Sequence, residues 1–310
     1  MVHFDVRKAG AFAAVACCVA LGAAGTAVAG TTAGAARTAV VWAAPHAIPW
    51  QAGPAGTSVA PDALSCAGPG ACAATGGTGG SAGFSQVFVA DEKAGVWRKA
   101  ALLAGLKALS QNTVAEPEGI SCPSPGNCVT GGLYAAGSSA DMYAQQGYLA
   151  AERNGAWGKA MDVPGLKALN KGFHAAVTSI SCPSAGNCAA GGYYQITDPH
   201  FGPSRNSAFV IDEVRGKWGT ARQVPGIAAL AVVSPDGTSS AGVNMVSCGS
   251  AGNCAAVGFY QDSAGNSHAF VADEVHGTWR SAKPVPSMST PYDRPCTAKR
   301  SKRRAGSSRS

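Results

Sequence analysis

Along this chain, hydrophobic and polar residues form short runs, and clusters of turn residues separate one run from the next. Between residues 180 and 226 four such runs occur in succession, and each ends at a cluster of Gly, Pro or Asn. Runs of this length between such clusters predict β-strands, and consecutive hairpins predict an antiparallel meander. After residue 29 no stretch combines the apolar periodicity of a helix with capping residues. The pattern therefore predicts an all-β protein.

The same block recurs four times along the chain. Each copy reads Ser-Cys-x5-Cys, a Gly/Ala-rich strand, a strand close to Phe-Val-x-Asp-Glu, a Gly turn, a Trp, and then Val-Pro or a variant of it. Trp97, Trp157, Trp218 and Trp279 follow at intervals of about 60 residues. A four-stranded meander cannot bury both faces of its sheet alone, whereas sheets stacked around an axis can. We therefore predict a β-propeller-like array of four-stranded antiparallel meanders, in preference to tandem domains or a β-solenoid.

The repeat also predicts the division of the chain. An additional fourth strand, with Trp42 and Ile48-Pro49 at the repeat offsets, precedes the first complete copy. The array is then either a ring of four blades with a spare strand or a shortened member of a longer array, and the second is favoured. The expected divisions are a signal peptide at 1–29, a flexible leader at 30–40, the repeat domain at 41–286 with the extra strand at 41–49 and copies at about 64–105, 120–165, 180–226 and 246–286, and a disordered basic tail at 287–310.

The amino terminus has the pattern of a secretory signal. A basic start with Arg7 and Lys8 precedes an apolar run, and Ala27-Val28-Ala29 offers a cleavage site. The apolar run is shorter than the ~20 residues that a membrane span needs. We therefore expect a secreted, extracellular protein without a membrane span.

The net charge of +7 lies almost wholly in the carboxy-terminal tail. Its last part, residues 298–310, contains six basic residues and no acidic residue: Lys299, Arg300, Lys302, Arg303, Arg304 and Arg309. The signal adds one further positive charge, so the repeat domain is close to neutral. Nucleic-acid binding requires a basic face on the folded body, and none is visible. The tail is expected to be disordered, with contact to an anionic envelope surface as the alternative.

The cysteines predict local disulfides. Eight of the eleven cysteines form four pairs with the same spacing: Cys66 and Cys72, Cys122 and Cys128, Cys182 and Cys188, Cys248 and Cys254. Zinc sites use shorter spacing together with His or a second Cys pair. In an exported chain that has lost Cys17 and Cys18 with its signal, the pairs therefore indicate disulfides that each close a small hairpin, which leaves Cys296 over.

The block resembles the Cys-paired repeats of secreted, propeller-like proteins from actinobacteria, a group largely uncharacterised in function. The resemblance covers 41–286 and rests on Ser-Cys-x5-Cys, Phe-Val-x-(Asp/Glu)-Glu, Gly-x-Trp and Val-Pro. It implies a propeller-like fold and an extracellular location, and it implies no reaction.

The repeat explains most of the residues whose side chains could take part in catalysis or metal binding. The acids that recur in every copy are expected to accept backbone N–H bonds near the Gly turn, and each Trp is expected to anchor the core between blades. The non-repeated acids, Glu116 and Glu118 among them, form no persuasive catalytic pair. The Gly-x-Ser-x-Gly match at 79–83 lacks the strand and helix of a nucleophile elbow. We therefore predict no catalytic, cofactor or metal site.

Function is expected at the rim of the array where the copies differ. In an up-and-down meander the two short turns of each copy lie at one rim and the variable connections at the other, and binding usually resides in loops held by a rigid scaffold. The candidate ligand residues are Tyr143, Phe173, His174, Tyr194, His200, Phe201, Arg205 and Tyr260. The sequence favours a secreted binding or scaffold protein for an extracellular glycan, peptide or protein. A propeller-scaffold glycoside hydrolase or lyase, and a truncated array without activity, are the alternatives.

Overall fold

A computed structural model describes residues 47–50, 58–79, 85–111, 114–136, 144–196 and 202–286. The expected signal peptide, leader and basic tail, together with Trp42 and Cys296, lie outside these residues. No helix in the described ranges is long and apolar enough to cross a membrane.

The described residues form four antiparallel sheets, which we call blades 1 to 4. Blade 1 contains β1 (Ser58–Gly68), β2 (Ala71–Gly79), β3 (Ser85–Lys93), β4 (Val96–Trp97) and β5 (Ala101–Leu102). Blade 2 contains β6 (Ala115–Ser124), β7 (Asn127–Ala135), β8 (Gln145–Arg153), β9 (Ala156–Trp157) and β10 (Met161–Asp162). Blade 3 contains β11 (Ala175–Ser184), β12 (Asn187–Gln195), β13 (Asn206–Val214), β14 (Lys217–Trp218) and β15 (Arg222–Gln223). Blade 4 contains β16 (Ala241–Ser250), β17 (Asn253–Gln261), β18 (Ser267–Val275), β19 (Thr278–Trp279) and β20 (Lys283–Pro284).

The predicted all-β, propeller-like fold is confirmed, with one difference in the fourth strand. In each blade this strand is interrupted into two short pieces that both pair with the third strand: in blade 3, β14 pairs with β13 at Glu213 and Trp218, and β15 pairs with it at Phe209 and Gln223. Three four-residue helices, which the sequence did not predict, lie in the connections that follow: α1 (Leu106–Leu109), α2 (Leu166–Leu169) and α3 (Ile227–Leu230). A single helical turn is too short to show an apolar period.

The four predicted disulfides are present. Each links the first two long strands of its blade, and the S–S distances are 2.04, 2.03, 2.06 and 2.07 Å in chain order. In blades 1 and 4 the paired cysteines are direct cross-strand partners, Cys66 with Cys72 and Cys248 with Cys254. Disulfides persist in oxidising environments, which fits an extracellular type of compartment.

A bulge in the first strand of each blade explains a repeated glycine. In blade 3 the register of β11 shifts between Val177 and Ser179, opposite Gly192 of β12. A Cβ atom at Gly192 would lie 1.9 Å from the carbonyl oxygen of Ala176 and 2.9 Å from the ring of Phe209. Only glycine allows the bulged strand and the aromatic ring to approach this closely.

Successive blades pack through their first strands and through the tryptophans. β1 contacts β6, β6 contacts β11, and β11 contacts β16. The indole N–H of Trp157 donates to Asp91 of the preceding blade at 3.1 Å, and that of Trp279 donates to Asp212 at 2.9 Å. The expected role between blades is confirmed for Trp157, Trp218 and Trp279. The expected backbone partners of the acids are wrong for Asp91 and Asp212, whose side chains accept from tryptophan.

The segment Ile48–Pro49 occupies the place of a preceding blade's end. The carbonyl of Pro164 accepts from the Ala221 amide of the next blade at 2.7 Å, as the carbonyl of Pro225 does for the Ala282 amide. The carbonyl of Pro49 accepts from the amide of Ala100 in blade 1 at 2.8 Å, in the same way. Ile48 and Trp50 pack against the same cluster of blade 1. This portion of the expected extra strand therefore has the contacts that the repeat predicts for it.

The array is open at both ends within the described residues. Val224 is fully buried by the next blade, whereas Val285, at the same position of blade 4, is 44% exposed. Ile180 is 8% exposed against the preceding blade, whereas Leu64, its counterpart in blade 1, is 61% exposed. Among these residues no contact comparable to those between neighbouring blades joins β16 to β1. The four described blades therefore do not close on one another.

Candidate functional site

The two rims of the array are distinct, as the meander requires. In blade 2 the amide of Gly155, in the turn after the third strand, donates to the carbonyl of Gly126, in the turn after the first strand, at 2.8 Å. Gly216 and Gly186 make the same bond in blade 3 at 2.8 Å. We call this edge the turn rim and the opposite edge, which carries the variable connections, the loop rim.

A cavity of about 400 Å³ opens towards the loop rim between blades 3 and 4. We call it the rim pocket, and its lining combines two aromatic rings with small and polar side chains: His174, Thr178, Tyr193, Asn206, Ser240, Ala241, Gly242, Val243, Asn244 and Phe259.

The aromatic residues of the rim pocket flank a glycine. Tyr193 and Phe259 stand at the same position of their blades, five residues after the second cysteine. A Cβ atom at Gly242 would lie 3.1 Å from the Phe259 ring and 3.5 Å from Cβ of Tyr193. The absence of a side chain at Gly242 therefore allows the Phe259 ring and Tyr193 to lie close to its backbone, with no side chain between them. The corresponding residues of blades 1 and 2 are Gly77 and Leu133, so this aromatic pair is specific to the later blades.

The polar groups of the rim pocket are neutral and only partly satisfied. Burial lowers the pKa of His174, and its Nδ1 lies 3.1 Å from Oε1 of Gln145. The Oδ1 atom of Asn206 is inaccessible to solvent and has no hydrogen-bond partner among the described residues. Buried polar atoms are almost always paired. The amide oxygen of Asn206 is therefore an unsatisfied acceptor behind the pocket surface, and a donor on a ligand reaches it only when the Asn206 side chain turns towards the cavity.

The eight candidate ligand residues do not form one site in the structure. Of the eight, His174 lines the rim pocket, and Phe173 precedes it, with its backbone N–H bonded to Gln195 at 2.7 Å. Tyr194 is 4% exposed and belongs to the core, and Tyr260 is 9% exposed and stacks on His268 with ring centroids 5.3 Å apart. The guanidinium of Arg205 donates to the carbonyl of Gly237 at 3.0 Å. Tyr143, His200 and Phe201 lie outside the described residues.

Sequence reasoning missed Tyr193, Phe259 and Asn206. The available signal was the variation at one strand position, Gly77, Leu133, Tyr193 and Phe259, immediately before a position that is Tyr in three of the four copies. Alternate strand residues point to opposite faces. The residue before the repeated tyrosine therefore belongs to a different surface from the tyrosine itself.

Three carboxylates lie near one another on the first strands of blades 1 and 2. We call Asp62, Glu116 and Glu118 the acidic trio. Burial raises the pKa of Glu118, and the charges of Glu116 and Asp62 raise it further. Burial raises the pKa of Tyr193, and the charges of Glu118 and Glu116 add to this effect. Two members of the trio, Glu118 and Glu116, therefore act electrostatically on a residue that lines the rim pocket.

Two acids of the trio and two residues of the rim pocket occupy equivalent positions of the repeat. Asp62, Glu118, Thr178 and Asn244 all stand four residues before the first cysteine of their blade, at or beside the bulge of the first strand. Asp62 accepts from the amide of Gly77 at 2.9 Å. The same strand position is thus acidic in blades 1 and 2 and neutral in blades 3 and 4. Within the described ranges no group of three or more His, Cys, Asp or Glu has the arrangement of a metal site.

No family model and no curated protein matches the chain. Among solved structures, it is similar to a protein of unknown function from Dyadobacter fermentans, at 11% identity and a TM-score of 0.42, over 73% of this chain and 69% of that one. It is also similar to the α-L-arabinanase of Penicillium chrysogenum, solved with arabinobiose, at 12% identity and a TM-score of 0.39, over 73% and 66% of the two chains. The fucose-specific lectin of Aleuria aurantia matches at 12% identity and a TM-score of 0.34, over 74% and 61%. Function has to be argued from the chain's own residues.

Proposed function

We propose that this chain is an exported binding protein whose rim pocket holds a glycan. The observation that carries the proposal is the approach of two aromatic residues, Tyr193 and Phe259, to the backbone of Gly242 in the pocket lining, beside the unpartnered Oδ1 of Asn206. A sugar ring presents C–H groups on its faces and hydroxyl donors at its edge. An aromatic face and a neutral acceptor complement both of these features.

The dimensions and chemistry of the rim pocket support a small neutral ligand unit. Its volume of about 400 Å³ falls within the range of small-molecule sites, which are concave and largely apolar with a few placed polar groups. His174, Asn206 and Thr178 are such groups, and burial favours the neutral form of His174. Peptides and proteins are the alternative ligands.

Export is part of the same proposal. Four disulfides fit an oxidising compartment, and the first 29 residues have the pattern of a secretory signal. Expression of the full chain with analysis of the culture medium, and sequencing of the amino terminus of the exported form, would test cleavage after Ala29.

A glycan array with the protein lacking its signal tests the binding proposal. We expect one glycan class to bind, and Tyr193→Ala to weaken that binding about tenfold, equivalent to about 1.4 kcal/mol. Phe259→Leu, which keeps an apolar side chain without a ring, should weaken it as well. Val232→Ala, a change at an exposed residue in the connection after blade 3, is the control. Absence of binding to every glycan would contradict the proposal and favour the truncated, inactive array.

A second candidate function rests on the acidic trio. Retaining and inverting glycoside hydrolases use two carboxyl groups, one of them a general acid with a raised pKa. Glu118 has a raised pKa and lies near two further carboxylates. Turnover on a panel of glycosides that Glu118→Gln abolishes, while glycan binding is retained, would favour the hydrolase over the binding protein.

A further inference from the structure

The repeated acids at the end of each third strand face two different blades. Asp212 of blade 3 accepts from Trp279 of blade 4, whereas the adjacent Glu213 forms an ion pair with Arg153 of blade 2. Successive residues of a strand point to opposite faces of the sheet. We call the position of Asp212 the first acid of a blade and that of Glu213 the second acid. At each interface between blades, the first-acid position of one blade and the second-acid position of the next blade therefore lie close to the turn rim.

At the interface of blades 2 and 3 the chain supplies its own cation. Ala151 replaces the first acid there, and Arg153, two residues further on the same strand face, pairs with Glu213. The Glu213 side chain is only 1% exposed. A buried carboxylate is costly unless a cation or hydrogen-bond donors satisfy it. The guanidinium of Arg153 has this role.

The interface of blades 3 and 4 has the same buried glutamate without the arginine. Val214 stands at the position of Arg153 and is 60% exposed, and Glu274 stands at the position of Glu213 and is 4% exposed. The part of the chain that the structure describes offers the Glu274 carboxylate no hydrogen-bond or ion-pair partner. At the interface of blades 1 and 2 Lys93 stands at the Arg153 position, and within the described ranges it forms no ion pair with the buried Glu152.

Glu274 lines an open cavity of about 610 Å³ together with Asp212, Glu213 and Val214. We call it the turn-rim cavity. Three carboxylates line this cavity, and two of them form ion pairs. Arg222 pairs with Asp212 at 2.8 Å, and Arg153 pairs with Glu213. Lys217, His276 and Arg222 also line the cavity, and none of them forms an ion pair with Glu274. Glu274 is therefore the one of the three carboxylates without an ion-pair partner. It stands at the repeat position where Glu213, one blade earlier, pairs with Arg153.

We infer that the turn-rim cavity binds the guanidinium group of an arginine side chain, presented by a peptide or protein partner, on Glu274. A guanidinium bonds carboxylates through two parallel N–H groups, which gives both strength and orientation. Arg153 at the equivalent place of the middle interface is an internal example of a guanidinium paired with a buried glutamate, there through the single oxygen Oε1 of Glu213. The cavity lies at the turn rim, opposite the rim pocket, so the inference is independent of the proposed glycan site.

The test uses an acetylated Gly-Arg-Gly amide peptide and its citrulline counterpart, which has the same shape without the charge. Binding to the protein lacking its signal is followed by titration calorimetry and by chemical shifts of the indole N–H groups of Trp218 and Trp279. We expect the arginine peptide to bind and the citrulline peptide to bind at least about tenfold more weakly. Glu274→Gln should reduce arginine binding to the level of citrulline.

Two variants distinguish a site from a general effect of charge. Val214→Arg should fill the cavity from within, as Arg153 does at the middle interface, and should abolish peptide binding while the melting temperature stays equal or rises. Arg153→Val should open a second site and double the number of bound peptides. Val96→Arg, at a valine of blade 1 that is 67% exposed, is the matched control and should bind like the parent. Absence of arginine binding, equal binding of both peptides, or unchanged binding by Val214→Arg would overturn the inference.

Discussion

Trp279 of blade 4 donates its indole N–H to the carboxylate of Asp212 in blade 3, with Nε1 2.9 Å from Oδ1. Trp157 makes the same bond to Asp91 at 3.1 Å across the first interface. At the middle interface Trp218 faces Ala151, which has no side-chain acceptor. The three interfaces therefore share one tryptophan position but differ in the hydrogen bond that it makes.

Replacement of these tryptophans by phenylalanine should reveal this difference. Trp279→Phe removes packing volume and also leaves a half-buried carboxylate without one of its donors, whereas Trp218→Phe removes packing volume alone. A lost hydrogen bond to a charged group costs about 1.5–3 kcal/mol. We therefore expect Trp279→Phe to lower the free energy of unfolding in urea by about 1–2 kcal/mol more than Trp218→Phe. Equal losses would show that the indole bond to Asp212 contributes nothing.

The repetition made much of this scaffold predictable from the sequence. The spacing of Cys182 and Cys188 favoured a local hairpin, and the structure has the disulfide across β11 and β12. The return of a tryptophan once per copy likewise indicated a place between blades. These features depend on local spacing, which a sequence displays directly.

The partners of the repeated acids were not predictable in the same way. Asp212 and Trp279 are 67 residues apart, and their contact requires the relative placement of two blades. The rim pocket was missed for a related reason. Tyr194 and Tyr193 are adjacent in sequence, and the bulge in β11 and the pleat of β12 place Tyr194 in the core and Tyr193 in the pocket lining. Neither a bulge nor the facing blade is visible in one copy of the repeat.

Glu152 should make stability depend on pH. Burial, together with the charge of Asp91 and against the opposing charge of Arg98, raises its pKa from 4.5 to about 7. Because the folded protein binds this proton more tightly than the unfolded chain, the contribution is fully present below pH 4.5 and is lost as the pH rises through about 7. We expect Glu152→Gln to raise the free energy of unfolding at pH 8 by roughly 1–3 kcal/mol and to leave it nearly unchanged at pH 4.5.

Urea unfolding at a series of pH values measures this effect. Glu92→Gln is the matched control, because Glu92 is the second acid of blade 1 and no carboxylate of a preceding blade faces it within the described ranges. The control should keep the pH dependence of the parent. A Glu152→Gln variant with the parent's slope between pH 5 and 8 would refute the assignment.

Two glycines of blade 4 should respond differently to the same substitution. A Cβ atom at Gly258 would lie 2.0 Å from the carbonyl oxygen of Gly242, at the bulge of β16. At Gly249 a Cβ atom would meet nothing within 4 Å. We expect Gly258→Ala to lower the free energy of unfolding by about 3–5 kcal/mol, or to prevent folding, and Gly249→Ala to change it by less than about 0.5 kcal/mol.

Yield of soluble protein and thermal unfolding by circular dichroism compare the two variants directly. Because both changes add one methyl group to the first two strands of the same blade, their difference isolates the close approach at the bulge. A Gly258→Ala variant as stable as Gly249→Ala would mean that β16 and β17 separate without cost, and the bulge would then not explain the repeated glycine.

The open end of the array predicts unequal effects for equivalent valines. Val224 is fully buried where blade 4 covers blade 3, and Val285 is 44% exposed at the same position of blade 4. Truncation of a buried aliphatic side chain costs the transfer free energy and leaves a cavity, so Val224→Ala should lower the free energy of unfolding by about 2–3 kcal/mol. Val285→Ala should change it by less than about 0.5 kcal/mol. Urea unfolding of the full chain is the measurement, and an equal loss for both variants would show that Val285 is covered in solution and that the array does not end at blade 4.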